Sequence, residues 1–140
     1  MKKQYDLPCN IAQSLNLIGD KWTLLILHSV KCGHHTYKEL QDALEGIPTN
    51  LLSKRLKDLC EDDLLKCSLY SQHPPRYQYD LTEKSEDLDD VFNAILIWGD
   101  KPLDKSYKCL KYKEANVKIA YVNEATGELI DPKDLCVEEK

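Results

Sequence analysis

Between residues 49 and 81 the apolar residues change their spacing, and this change limits the fold more than any other feature. Leu52, Leu56 and Leu59 recur at helical spacing, whereas Tyr77, Tyr79 and Leu81 alternate with Gln78 and Asp80 in the period of a strand. Leu64 to Tyr70 is expected as a preceding strand, with Ser71-Gln72-His73-Pro74-Pro75 as the turn between the two. The chain therefore runs from a helix straight into a two-stranded ribbon. Thr49 is read as the cap of that helix, with Pro48 just outside it and Asp63 at its end.

Three helical segments precede it. Asn10 to Leu17 has helical patterning, Gly19 is a stop, and Asp20 is the expected cap of the next helix. Lys21 to Val30 is apolar almost all round, which suits a buried helix. A turn around Gly33 leads to Tyr37–Leu44, with Leu40, Ala43 and Leu44 inward. After the ribbon, Thr82 reads as a cap. Leu88, Val91, Phe92, Ile95 and Leu96 follow the i, i+3, i+4, i+7, i+8 pattern of one helix ending near Trp98. Asn123 to Gly127 reads as a turn that could close a C-terminal hairpin. The fold class expected is mainly α with a small β-hairpin wing: a winged helix-turn-helix domain with a terminal dimerisation helix.

Composition narrows the function classes. At 140 residues the length fits one domain, and 42% hydrophobic with 31% charged residues is ordinary for a globular protein. No stretch of the sequence is long and apolar enough to cross a membrane, and the first residues lack the apolar core of a secretion signal, so a cytoplasmic protein is expected. In that compartment the six cysteines are expected as free thiols. They contain no C-x-x-C pair, which speaks against a thiol oxidoreductase; Cys32-Gly33-His34-His35 offers too few groups for a metal site. No Gly-rich phosphate loop and no H-E-x-x-H occurs, so neither an enzyme nor a cofactor is expected.

The net charge of −5 alone argues against nucleic acid, but the charge is segregated. Thr49 to Lys57 carries Lys54, Arg55 and Lys57 and no acid, while Asp80 to Asp104 holds eight acids against two lysines. Opposite the Leu52–Leu56–Leu59 stripe, Asn50, Ser53, Lys54 and Lys57 share one helix face. Asn pairs bidentately with adenine and Lys reaches guanine or phosphate, so this face suits the major groove of duplex DNA. Thr49 begins the helix whose free N–H groups face a phosphate. Arg55 lies to the side and is open to two roles, phosphate contact or pairing with an acid of its own domain. Arg76 and His73 border the wing turn, with Arg76 the expected backbone contact. The apolar surplus at Leu88, Val91, Phe92, Ile95 and Leu96 exceeds what the ribbon covers and suits pairing with a second chain.

Taken in order, several motifs resemble the HxlR family of bacterial transcription regulators, relatives of the MarR winged-helix proteins. They are Cys9, Leu17-Ile18-Gly19-Asp20-Lys21-Trp22-Thr23-Leu24-Leu25-Ile26-Leu27, Tyr37-Lys38-Glu39-Leu40, Ile47 to Leu56, Pro75 to Thr82, and Trp98-Gly99. The resemblance covers residues 8–103, taken as the winged-helix domain, and leaves 104–140 as a C-terminal extension. It departs from the family at Asp63 and Ser85, where glycines are usual, and at Thr36, where arginine is frequent.

The resemblance implies a homodimer on a double-stranded DNA operator. It also implies that Cys9 is a sensor of oxidants or thiol-reactive small molecules. By position, Cys9 stands at a helix start near Lys2 and Lys3, where the thiolate is favoured. Cys109 and Cys136 are its candidate partners, while Cys60 and Cys67 are expected as buried packing. The rival function is a winged-helix protein-interaction module without DNA binding.

Overall fold

The computed structural model describes residues 4–140; Lys2 and Lys3, placed near Cys9 by sequence, lie outside the described residues. The chain divides into two compact units, residues 1–92 and 93–140.

In the first unit, α1 (Asn10–Ile18), α2 (Thr23–Lys31), α3 (Tyr37–Ala43) and α4 (Thr49–Glu61) precede a hairpin of β1 (Leu65–Gln72) and β2 (Pro75–Leu81). The antiparallel register runs from Leu65 opposite Leu81 to Gln72 opposite Pro75, with a bulge between Leu69 and Ser71. The strands therefore reach further than the sequence suggests, and only His73-Pro74 turns the corner. Thr36 forms an isolated bridge with Gln78, which ties the wing to the turn before α3. The winged helix-turn-helix is thus present.

Its core is aliphatic. Ile26, Leu27, Leu40, Leu52, Leu56 and Leu59 are at most 1% exposed, so the all-round apolar α2 and the leucine stripe of α4 are interior.

The local signals are partly displaced. Pro48, in extended conformation, holds the cap position of α4, and Thr49 is its first helical residue, which corrects the Thr49 cap. Pro48 has no N–H and a fixed φ, so its extended backbone can lead into the first turn at no hydrogen-bonding cost. Asp20 lies outside the first turn of α2, whose cap position is Trp22. Its carboxylate still accepts from the N–H groups of Trp22 (2.9 Å) and Thr23 (3.2 Å) and from the Thr23 hydroxyl. Asp63 adopts φ 58°, the left-handed region where the family's glycine would sit, and Asp tolerates it through its short polar side chain.

The single helix expected after Thr82 is two: α5 (Glu83–Glu86) and α6 (Asp89–Gly99). A capping box between Thr82 and Ser85 closes α5, and Ser85 is 1% exposed, so the polar pair is satisfied in the interior. Asp89 and Asp90 then sit in the first turn of α6, where negative charge suits the helix dipole. The break also separates the expected dimer stripe. Phe92 is 5% exposed and packs edge-on against His28 at 5.3 Å, and Leu88 packs against the same core. Both side chains pack against the interior of the first unit.

The second unit contains the rest of α6 and two short hairpins, β3 (Lys111–Tyr112) with β4 (Ala115–Asn116) and β5 (Tyr121–Val122) with β6 (Leu129–Ile130). The latter is the C-terminal hairpin expected around Asn123 to Gly127. Asn123 organises it: its side chain accepts from the N–H groups of Ala125 (2.9 Å) and Thr126 (3.2 Å).

Candidate nucleic-acid interface

α4 has thirteen residues, about 20 Å of helix at 1.5 Å per residue, which suits a segment lying in a major groove. Its inner face is closed by Leu52, Leu56 and Leu59. Its outer face exposes Thr49, Asn50, Ser53, Lys54 and Lys57 together. Among the described residues nothing hydrogen-bonds or ion-pairs with the side chains of Asn50, Ser53 or Lys57. The Tyr37 hydroxyl donates to the Thr49 carbonyl at 3.0 Å and so fixes the first turn of α4 against the start of α3.

Arg55 occupies the flank, with its side chain 17% exposed. Nη1 donates to Asp58 at 3.0 Å, and Nε stands 3.3 Å from Asp20 without the alignment of a hydrogen bond. Of its two possible roles, the structure displays the internal pairing. Lys54 meets the same Asp58 carboxylate at 3.1 Å while remaining largely exposed. Burial raises the Asp58 pKa, but Lys54 and then Arg55 outweigh it and hold the carboxyl below its ordinary value. Asp58 therefore anchors α4 through Arg55 to the turn before α2.

The wing stands beside this helix. Arg76 is exposed at its tip, as is His73. Together with Thr36, Tyr37, Lys38, Tyr70 and Tyr77, Arg76 borders an open groove of about 520 Å³ between the start of α3 and the wing. Lys38 pairs with Asp42 at 2.7 Å. Thr36 caps α3, and Glu39 returns the bond to the N–H groups of Thr36 (3.1 Å) and His35 (2.7 Å). Those two N–H bonds hold the Glu39 carboxyl below its usual range. The residue standing in place of an arginine thus works as a helix cap. The wing is held at its base as well: Tyr79 N–H donates to His35 O at 2.7 Å, and His35 Nδ1 lies 3.2 Å from Asp80.

Cys9 is exposed at the N-cap of α1, with its backbone extended. All six thiols are free. Cys67 is exposed and Cys60 only half-buried, which corrects the expectation of buried packing for this pair. Among the described residues no group of three or more His, Cys, Asp or Glu side chains is arranged to hold a metal ion. No helix among them is long and apolar enough to cross a membrane.

A recognition-type helix, a wing beside it and a basic, polar outer face define a winged helix-turn-helix protein. The family described as HxlR-like helix-turn-helix matches residues 17–107, and the chain belongs to it. MalR of Fusobacterium mortiferum is 38% identical over 92 residues, which is 65% of this chain and 87% of MalR. YodB, an HTH-type transcriptional regulator of Bacillus subtilis, is 30% identical over 88 residues, 63% of this chain and 79% of YodB. Its reduced form matches with a TM-score of 0.58 at 28% identity, covering 70% of this chain and 97% of that one, and a diamide-treated form also matches. The structure of PA1374 from Pseudomonas aeruginosa matches over 94% of this chain and 92% of its own, with a TM-score of 0.73 and 30% identity. That match extends through the second unit.

Proposed function

We propose that this protein is a homodimeric, sequence-specific DNA-binding transcription regulator, acting as a repressor, that reads its operator with α4. The observation that carries the reading is the two-sidedness of α4: leucines fully interior on one side and, on the other, Asn50, Ser53 and Lys57, exposed and without a side-chain partner among the described residues. Asn50 and Ser53 face base edges. Lys54 and Lys57 supply cations near the phosphates, and Arg76 follows the backbone at the wing. Thr49 brings the N–H groups of the first turn toward a phosphate. Arg55 acts from within, holding the helix at its angle through Asp58 and Asp20. Operator DNA lies in the cytoplasm, and the protein belongs with it there.

The second chain belongs on α6 and the residues after it. Val91, Ile95 and Trp98 are exposed along that helix. In the second unit, Ile95, Leu96, Trp98, Leu103 and Tyr107 border an apolar groove of about 320 Å³. Two copies pairing through this surface would present two reading helices to successive half-sites. Cys9 is the site of control: an exposed thiol on α1, in a family where YodB has been solved after diamide treatment.

Binding of the duplex upstream of its own gene tests the reading. Asn50→Ala is expected to weaken operator binding by about 1–3 kcal/mol while leaving non-operator duplex unaffected. If the wild type shows no salt-dependent shift of any duplex, the winged-helix protein-interaction reading replaces this one. For Cys9, diamide should change operator affinity reversibly in the wild type and not in Cys9→Ser.

A further inference from the structure

Six residues separate Cys60, in the last turn of α4, from Cys67, on β1 of the wing. The tight left-handed turn at Asp63 folds the strand back along the helix end. The end of α4 and β1 pack against each other, and Cys67 is among the groups that raise the Cys60 thiol. Tyr79 stands opposite Cys67 in the hairpin register, and burial, with both cysteines as further neighbours, pushes its hydroxyl up to about 12. Cys60 and Tyr79 also pack on the same core. Helix end, strand and cross-strand tyrosine thus close around one pair of sulfurs, which nothing in the proposed DNA reading uses.

We propose that Cys60 and Cys67 are a dithiol site that low-molecular-weight disulfides convert to an intramolecular disulfide, independently of Cys9. The two sulfurs are unequal. Burial, and then the neighbouring Cys67, push the Cys60 thiol up to about 11, so it stays protonated at neutral pH, while Cys67 is open to solvent. Cys67 is the attacking group. Its thiolate takes one sulfur of the small disulfide, a mixed disulfide forms, and one small thiolate leaves and is protonated.

Cys60 then loses its proton to solvent and attacks the Cys67 sulfur, expelling the second small thiol. Two protein thiols are oxidised and one small disulfide is reduced to two thiols. The product joins the end of α4 to the wing. If α4 and the wing read DNA as proposed above, the joined form binds operator more weakly, because helix and wing lose their independent adjustment.

Thiol trapping tests the site without DNA. The full-length protein is equilibrated in glutathione buffers of rising oxidised fraction, quenched in acid, alkylated and mapped by mass spectrometry. Cys60 and Cys67 are expected to disappear together into one linked peptide, with no added dimer on a non-reducing gel and no change in Cys9→Ser. In Cys60→Ala, Cys67 should instead accumulate as a stable glutathione adduct. In Cys67→Ala, Cys60 should remain a free thiol. A wild-type Cys67 that stays free or glutathione-capped while Cys9 is fully oxidised overturns the proposal, as does a link from Cys60 to any other cysteine. The wild-type map decides the matter even if a variant fails to fold. Weak DNA binding alongside a normal linked peptide would count against the reading helix and leave the dithiol site standing.

Discussion

Residues 4–92 and residues 93–140 are held in shape by different forces. The first unit contains all of the buried residues described, from Ala12 to Phe92, whereas no side chain after Phe92 is buried. In the second unit Trp98 is 69% exposed and Leu129 78% exposed, and its strands are two residues long. The first unit closes an aliphatic core of its own, which takes the leucines of α4 and leaves that helix a polar outer face, although Leu7, Ile11 and Leu25 elsewhere in the unit stay exposed. The second owes its turns to local hydrogen bonds such as those of Asn123, and it keeps Trp98, Leu103 and Leu129 exposed.

The sharpest way to break this contrast is to cut one leucine from each unit. Leu56 is 1% exposed inside the core, so Leu56→Ala should cost about 2–5 kcal/mol in urea unfolding. Leu129→Ala should stay within about 0.5 kcal/mol, because its side chain loses no burial. Equal losses would mean that the second unit shares a core with the first. The next largest effect concerns pairing. Ile95 is 48% exposed in this single chain, and Ile95→Asp would place an unpaired carboxylate in the proposed interface. Light scattering should then report monomer where the wild type is a dimer, with helix content by circular dichroism unchanged. A wild type that is monomeric at micromolar concentration would remove the dimer from the function.

Where burial decides structure, the residues announce it. The leucine spacing of α4, the alternation of β2 and the all-round apolar α2 are each a record of which faces meet the core, so the winged helix is legible in them. The outer face of α4 is legible for the same reason, as what the stripe leaves over. Legibility ends where short polar contacts decide. The division of α5 from α6 depends on a capping box at Thr82 and Ser85 and on acids at a new helix start, inside a stripe whose apolar period continues unbroken. The β3–β4 hairpin turns with Lys113 at φ 54° and without the glycine or asparagine that would announce it. The partners of Arg55 lie one turn along the helix and 35 positions back in the sequence, at Asp58 and Asp20, and only the fold brings the second of them near.

The Asp58 cluster supplies a smaller effect with a defined pH dependence. Asp58 is 8% exposed and its carboxyl is held below its ordinary value by Lys54 and Arg55 against the pull of burial. A depressed folded pKa stabilises the folded chain above the unfolded value, near 3.8, and the contribution fades as pH falls through the folded value. Asp58→Asn should therefore cost about 1–3 kcal/mol at pH 7. The gap from wild type should narrow below about pH 4. A gap that is the same at pH 3 and pH 7 would show that the charge on Asp58 contributes nothing to holding Arg55 and α4.

The smallest effect separates the two roles on the outer face of α4. Lys57 is exposed and has no acid partner among the described residues, unlike Lys54, which already shares Asp58. A lysine that neutralises a phosphate releases a condensed counterion, so log affinity falls with log salt by about one unit of slope for each such contact. Lys57→Ala should therefore flatten the salt dependence by about 1 on operator and on unrelated duplex alike, with no loss of sequence preference. Lys54→Ala should flatten it less, because its charge is already partly spent on Asp58. The comparison between the two lysines thus turns an intramolecular distance into a difference of slopes. Equal slopes for both variants would place the Lys54 ammonium on phosphate in the complex, away from Asp58; an unchanged slope for Lys57→Ala would take that end of α4 off the DNA backbone.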